Sequence, residues 1–212
     1  MIRHRVRLHF RKEDDLRLIS HHDLLRLFER LFRRAGLNLR LSEGFHPKPR
    51  LTFPSALALG IRGAAEVMEF ELAEPVPAEQ LAARIAAQAP PGLVVERVQL
   101  LGPRDGKARV EWAWYELPIP APRCADLQSR ISQLSQQSSY WMEREGRSTP
   151  VDLRAALGSL ELTGGVLRFR LRVASPVSVR PREVLTALAV ADLEQDGHHL
   201  TRTRVELAPD TA

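Results

Sequence analysis

The chain has 212 residues, of which 44% are hydrophobic, and its formal net charge is +5. This size and apolar content predict a folded, soluble protein of one large domain or two domains of about 100 residues each. No run of about 18 apolar residues suggests a membrane span, so we expect a cytoplasmic protein with no membrane partner. The only cysteine, Cys124, excludes disulfides within the chain and cysteine-ligated iron–sulfur or zinc clusters.

The positive charge is concentrated near the N-terminus. Residues 1–62 contain 14 Lys and Arg against 6 Asp and Glu, whereas the other 150 residues contain 17 against 20. A cationic region of this kind favours a polyanionic partner, most commonly nucleic acid. The alternative is an ordinary solvated basic face.

The first half reads as alternating strands and helices. Residues 5–11 alternate as a strand, and residues 16–19 suggest a second short strand. Ser20 and Asp23 fit a capping box that starts an amphipathic helix, and Gly36 ends it. Further along the chain we predict strands at 37–41, 50–53, 66–72 and 93–101 and a helix at 78–89.

The same order of elements recurs after a polar turn at residues 102–107. The predicted elements are strands at 110–119, 140–144, 166–173 and 201–207, helices at 124–136 and 181–190, and a shorter segment at 151–162. We therefore predict an α+β fold with two tandem ferredoxin-like halves, each an antiparallel sheet with helices packed on one face. The expected domains are residues 1–102 and 108–212.

The most informative segment is residues 42–53, SEGFHPKPRLTF, which directly follows the basic helix and the strand predicted after it. Pro47 and Pro49 restrict the backbone on either side of Lys48, and Phe45 could stack on a base or anchor the loop in the core. For Phe53 we favour the core. The candidate nucleic-acid contacts are Arg26, Arg30, Arg33, Arg34, Phe45, Lys48 and Arg50, and the supporting structural residues are Ser20, Asp23, Gly44, Pro47 and Pro49.

Two histidines are candidate catalysts. His21 or His46 could act in general acid–base chemistry, such as metal-independent RNA cleavage through the 2′-hydroxyl. The alternative for His21 is a neutral ring that packs in the first turn of the helix. We expect no metal site and no cofactor.

The second half offers weaker candidates. Asp152, Arg154, Arg180 and Arg202 lie at turn-like or strand positions. Pairing of Asp152 with Arg154, Arg180 or Arg202 would be structural. A second phosphate or partner site is the other interpretation.

Several motifs resemble the radical-SAM-linked proteins, a bacterial family (domain of unknown function 2344). The similar stretches are LISHHDLLR at 18–26, RRAGL at 33–37, SEGFHPKPRLTF at 42–53 and ALALG at 56–60, with weaker similarity at Asp152 with Arg154, at 179–181 and at 202–205. This chain has His22 where family members usually carry an apolar residue, and His46 where they often carry Asn.

The resemblance implies an accessory domain that is fused to a radical SAM enzyme or encoded beside one. The genes often lie near those for a ribonuclease and ribosomal proteins, which implies RNA or a ribonucleoprotein as partner. We therefore expect an accessory RNA-binding module that works with a radical SAM enzyme and has no catalysis of its own. The alternatives are a metal-independent ribonuclease or RNA-modifying enzyme that uses His21 or His46, and a protein-interaction scaffold.

Overall fold

A computed structural model describes residues 4–144, 149–173 and 178–209. The chain divides into two compact units, Met1–Arg109 with Ala208–Ala212, and Val110–Leu207. The mixed α+β character predicted from the sequence is confirmed.

The first unit is an antiparallel sheet with two α-helices. Its elements are β1 (His4–Lys12), α1 (His21–Arg34), β2 (Leu51–Thr52), β3 (Arg62–Leu72), α2 (Ala78–Ala86) and β4 (Leu93–Leu101). Strand β1 pairs with β4 on one side and with β3 on the other, and β2 pairs with β3. The order across this part of the sheet is therefore β4-β1-β3-β2.

One face of this sheet is the core of the first unit. Val6, Leu8 and Phe10 alternate on β1 and are fully buried against residues of α1, such as Phe28 and Phe32. Because successive side chains of a strand point to opposite faces, the charged residues of β1 between them lie on the other face. Helices α1 and α2 thus cover the apolar face with their own apolar stripes.

The second unit repeats the alternation of strands and helices. Its elements are β5 (Val110–Pro118), α3 (Ala121–Gln136), β6 (Trp141–Met142), β7 (Val151–Asp152), β8 (Leu157–Thr163), β9 (Val166–Arg172), α4 (Pro181–Ala187) and β10 (Thr201–Leu207). Strand β5 lies between β10 and β9, β9 also pairs with β8, and β6 pairs with β7; all of these pairs are antiparallel.

Two predicted strands of the first unit are wrong. Residues 16–19 belong mostly to a 3-10 helix, Asp14–Leu18, which has acidic residues in its first turn and no buried side chain. Residues 37–41 run beside the end of β3, where the Arg40 amide donates to the Glu71 carbonyl at 2.8 Å. They form only two isolated bridges, at Leu39 and Leu41. Both runs alternate over four or five residues, which is too short for periodicity alone to define a strand.

Several predicted elements differ mainly in length. The strand at 140–144 is reduced to the two residues of β6, the segment at 151–162 contains β7 and most of β8, and α3 begins three residues earlier than predicted. Pro122 lies in the first turn of α3, where its missing amide hydrogen has no helical partner to lose. It therefore opens the helix.

Candidate nucleic-acid interface

The exposed face of α1 carries a row of arginines. Ser20 caps the helix by accepting a hydrogen bond from the Asp23 amide at 3.1 Å, and Gly36 ends the turn with a φ of 65°. With Leu24 and Phe28 fixed in the core, the register of the helix directs Arg26, Arg30 and Arg33 to solvent. We call these three residues the α1 arginines.

The α1 arginines are weakly neutralised. Arg26 lies 3.7 Å from a carboxylate oxygen of Asp23, and both side chains are more than half exposed. Such surface pairs contribute little because water screens them. Arg30 and Arg33 form no hydrogen bond or ion pair with any described residue. Their guanidinium groups are therefore available to an external anion.

A groove of about 660 Å³ runs along the α1 arginines. The opposite side is lined by Leu39, Leu41 and Pro49, which belong to the chain segments next to β2 and β3. Glu29 is the only carboxylate among its lining residues. We call it the α1 groove. It combines a cationic wall with an apolar wall.

Arg34, in contrast, has a structural contact. Its Nη2 donates to the carbonyl oxygen of Gln88 at 2.9 Å, which ties the end of α1 to the end of α2. The sequence pattern had grouped Arg34 with the α1 arginines because it lies in the same basic run. The structure separates them.

The loop from Ser42 to Lys48 is closed at its base by two hydrogen bonds. The Ser42 amide donates to the Lys48 carbonyl at 2.8 Å, and the Lys48 amide donates to the Ser42 hydroxyl oxygen at 3.0 Å. Gly44 has a φ of 121°, a conformation that L-amino acids rarely adopt. Pro47 fixes a further backbone angle within the loop. The loop is therefore held by its own backbone.

The tip of this loop presents side chains to solvent. Phe45 is 102% exposed relative to its reference state, and His46 is also exposed. The Lys48 ammonium contacts no described partner through a hydrogen bond or ion pair. A ring that packs against nothing in its own unit does not anchor the loop. Of the two interpretations of Phe45, an anchor in the core does not fit this exposure.

Arg50 lies in a different environment from Lys48. Its guanidinium group is 3.8 Å from Glu71 and 3.9 Å from Glu43. It lines a second groove of about 360 Å³, together with Lys48 and Lys107. Pro49 lines both grooves, and Lys48 and Arg50 line a different groove from the α1 arginines. The carboxylates also offset the charge of Arg50.

His21 is a packed ring. It lies edge-on to Phe53 with 5.2 Å between ring centroids, and Phe53 in turn lies 6.2 Å from Phe10. Burial, and then the nearby His22 and Lys12, lower the pKa of His21, which is therefore neutral at pH 7. This environment matches the packing alternative, while His46 lies apart from it in the exposed loop. Among the described residues no His, Cys, Asp and Glu cluster could hold a metal ion.

Asp152 has a structural role that the sequence did not indicate correctly. We expected it to pair with an arginine. Instead its Oδ1 accepts hydrogen bonds from the backbone amides of Tyr140, at 2.8 Å, and of Arg154, at 3.0 Å. The Arg154 Nε donates to the Gln137 carbonyl at 3.1 Å. Both residues therefore stabilise the connections around β6 and β7.

The other two candidates of the second unit are also integrated into the fold. Arg180 precedes α4, and its backbone amide donates to Glu183 at 2.7 Å. Glu183 also accepts two hydrogen bonds from Arg144, each at 2.6 Å. Arg202 on β10 is 1% exposed and has a partner within the chain. Asp152, Arg154 and Arg202 are therefore each held by contacts within the chain.

The sequence did not reveal the role of residues whose environment depends on distant parts of the chain. Leu39 and Leu41 line the α1 groove, and Trp112, Trp114 and Arg170 form a cluster on the second unit. The sequence signal for this cluster is the alternation of Trp112 and Trp114 on β5 and of arginines on β9. Residues on the same face of adjacent strands lie next to one another.

Comparisons with known proteins place the chain in a family. No curated protein sequence matches it. One solved structure that it is similar to is described as an unknown protein from Galdieria sulphuraria, with 11% sequence identity over 98% of this chain and 99% of that chain, and a TM-score of 0.29. No helix of the described residues is long and apolar enough to cross a membrane. The model of the family described as "Uncharacterized protein conserved in bacteria (DUF2344)" matches residues 5–181, and the chain belongs to this family.

Proposed function

We propose that this protein is an accessory RNA-binding module whose site is the α1 groove together with the loop from Ser42 to Lys48. In this proposal the α1 arginines and Lys48 contact phosphates. Phe45 stacks on an unpaired base. The protein positions RNA and performs no chemistry on it.

The observation that carries the proposal is that the first unit has both free guanidinium groups on α1 and an exposed aromatic ring on the loop from Ser42 to Lys48. Arg30 and Arg33 have no partner among the described residues, and Phe45 projects from a loop whose base is hydrogen-bonded. Phosphate contacts supply affinity for nucleic acid, and aromatic stacking adds about 1–3 kcal/mol per base. A stiff loop also loses less entropy when it binds.

We further propose a radical SAM enzyme as the partner that performs the chemistry. The support is the resemblance of residues 18–26, 33–37 and 42–53 to the radical-SAM-linked proteins. The single cysteine of this chain could not hold a three-cysteine iron–sulfur cluster, so a cluster of that kind would belong to the partner. The module would then present RNA to that enzyme.

Each unit is, in this proposal, a ferredoxin-like half. The first unit has the element order β-α-β-β-α-β with its strands in the order β4-β1-β3-β2, and the second unit has the matching strand order β10-β5-β9-β8. The β6–β7 pair is then an insertion into the second half.

Binding of a stem-loop RNA by matched triple variants tests the function. Arg26→Gln, Arg30→Gln and Arg33→Gln together remove the α1 arginines. The control combines Arg62→Gln, Arg104→Gln and Arg130→Gln, three arginines outside the α1 groove with the same change in net charge. We expect the first variant to bind at least about tenfold more weakly at low salt, and the control to resemble wild type. Equal affinities of the two variants contradict the proposal.

A further inference from the structure

The second unit carries tryptophans and arginines side by side on one face of its sheet. Trp112 and Trp114 on β5 alternate with Ala113 and Tyr115, which are buried. The register pairs Trp112 with Arg172 and Trp114 with Arg170 on β9. Since Leu171 between these arginines is buried, the tryptophans and arginines share the face opposite the core.

These side chains stack on one another. The Arg170 guanidinium carbon lies 4.5 Å from the centroid of the Trp112 ring and 5.8 Å from that of Trp114. Arg172 lies 5.6 Å from Trp112, and Arg204 of β10 lies 4.7 Å from Trp114. All four distances are within the range of cation–π attraction. Five planar groups from three strands thus form a continuous surface, which we call the Trp–Arg face.

Strand β8 leaves room for this surface. A Cβ atom built on Gly158 would approach Arg170 Nε and Trp112 Cζ3 to 2.6 Å each. Any other residue at this position would push the two side chains apart. The stacking of Trp112 and Arg170 therefore depends on a glycine in the neighbouring strand.

The charges of the Trp–Arg face are incompletely neutralised. Arg172 pairs with Glu111 at 3.3 Å and Arg204 with Glu206 at 3.5 Å, and the two arginine side chains are 51% and 64% exposed. Arg170 between the rings has no carboxylate partner in the described part of the chain. Its Nε is buried and forms no hydrogen bond with any described residue. The three arginines thus face two carboxylates, which leaves an excess positive charge within the aromatic surface.

We propose that the Trp–Arg face is a second RNA site, which binds a single-stranded segment. Bases stack on Trp114 and on the exposed planes of Arg172 and Arg204, and a phosphate neutralises the charge of Arg170. Tryptophan rings and guanidinium planes both stack on bases, and single-stranded RNA is the partner that combines such rings with negative charge. This site rests on the proposed function, because it assumes that RNA is the ligand, but it shares no residue with the α1 groove.

Tryptophan fluorescence provides a direct readout. The probe is an oligouridylate of about 8 nucleotides, a length within the site size of single-strand binding folds. Stacking on Trp114 should quench the fluorescence of the wild-type protein. A polyglutamate peptide of similar length supplies negative charge without bases. We expect it to cause no quenching, and equal quenching by the peptide and the oligonucleotide would overturn the proposal.

Matched variants test whether the oligonucleotide binds at the Trp–Arg face. Trp114→Leu should weaken oligonucleotide binding by roughly 5- to 100-fold, whereas Trp141→Leu, which removes a 64% exposed tryptophan elsewhere in the same unit, should bind like wild type. Arg204→Gln provides a second test at an exposed position, with Arg130→Gln as its control. Binding is measured by fluorescence anisotropy of a labelled oligonucleotide, so that it does not depend on the tryptophans.

The triple variant of the α1 arginines separates the two proposals. It should bind the short single strand as wild type does, even though it loses the stem-loop RNA. Loss of stem-loop binding in that variant, combined with unchanged oligonucleotide binding in Trp114→Leu and Arg204→Gln, would overturn the second site and leave the proposed function intact.

Discussion

Two phenylalanines of one short segment, Phe45 and Phe53, have opposite environments. Phe45 is fully exposed at the tip of its loop, whereas Phe53 contacts Phe10, Phe28 and His21. The sequence favoured the core for Phe53 and left Phe45 open. At neither position does a periodic sequence pattern distinguish a buried ring from an exposed one, because the segment between them contains two prolines and only one short strand.

Alanine substitution should therefore separate the two rings. Phe45→Ala should change the free energy of unfolding by no more than about 0.5 kcal/mol, as for other surface positions. Phe53→Ala should reduce it by about 1–3 kcal/mol, less than for a fully buried Phe. Urea unfolding of both variants measures these changes. For RNA binding we expect the opposite order of effects, with Phe45→Ala binding more weakly than Phe53→Ala. A large loss of stability in Phe45→Ala would contradict the exposed position of this ring.

His9 is a titratable residue on the face of β1 opposite the core. Its Nε2 lies 3.1 Å from Arg97 Nη2. Because a guanidinium group only donates, His9 must accept and is therefore neutral. Burial, and then the charges of Arg97 and Arg7, lower the pKa of His9 from 6.5 to about 4.

This shift predicts how stability depends on pH. Below pH 6.5 the unfolded chain binds a proton at His9 that the folded chain excludes down to a pH of about 4. The free energy of unfolding should therefore fall as the pH drops through this window. His21, with its lowered pKa, contributes in the same direction. Urea unfolding at pH 7 and pH 5 should show a smaller loss for His9→Gln than for wild type. His46→Gln is the control, and should show the wild-type loss.

At the scale of elements, α1 forms one wall of the proposed site because one of its faces packs in the core and the other is exposed to solvent. Buried residues such as Phe28 and Leu31 fix its rotation, and the α1 arginines are displayed as a result. The exposed position of the α1 arginines could be predicted from the sequence, because a 14-residue helix gives nearly four turns of periodicity. The α1 groove could not be predicted, because its other wall comes from Leu39, Leu41 and Pro49. The positions of these residues depend on pairing near the end of β3.

The cap of α1 should contribute measurably to stability. Ser20→Ala removes the acceptor of the Asp23 amide and also the hydrogen bond from the Ser20 hydroxyl to the Asp23 carboxylate, at 2.7 Å. We expect a loss of about 0.5–2 kcal/mol in the free energy of unfolding. Ser135→Ala, at an exposed position of α3, is the control and should be neutral or slightly stabilising. Equal effects of the two substitutions would show that the cap is not important.

At the scale of the whole molecule, the sequence shows that positive charge is concentrated near the N-terminus. It does not show which of these basic residues are paired within the protein and which are free. Of the basic candidates, Arg34 holds a backbone carbonyl and Arg50 lies between two carboxylates, whereas Arg30 and Arg33 are free of any described partner. Charge counts cannot distinguish these cases, because pairing depends on residues far away in the chain. The same holds for Asp152, whose partners are backbone amides.

The salt dependence of RNA binding tests the central claim most directly. The logarithm of the binding constant falls linearly with the logarithm of the salt concentration, with a slope of about −0.9 per phosphate neutralised on a duplex. If the α1 arginines contact phosphates, the triple Gln variant should bind a stem-loop RNA with a slope shallower by about 2 to 3. The variant at Arg62, Arg104 and Arg130 should keep the wild-type slope. Parallel lines for wild type and the α1 variant would contradict the account.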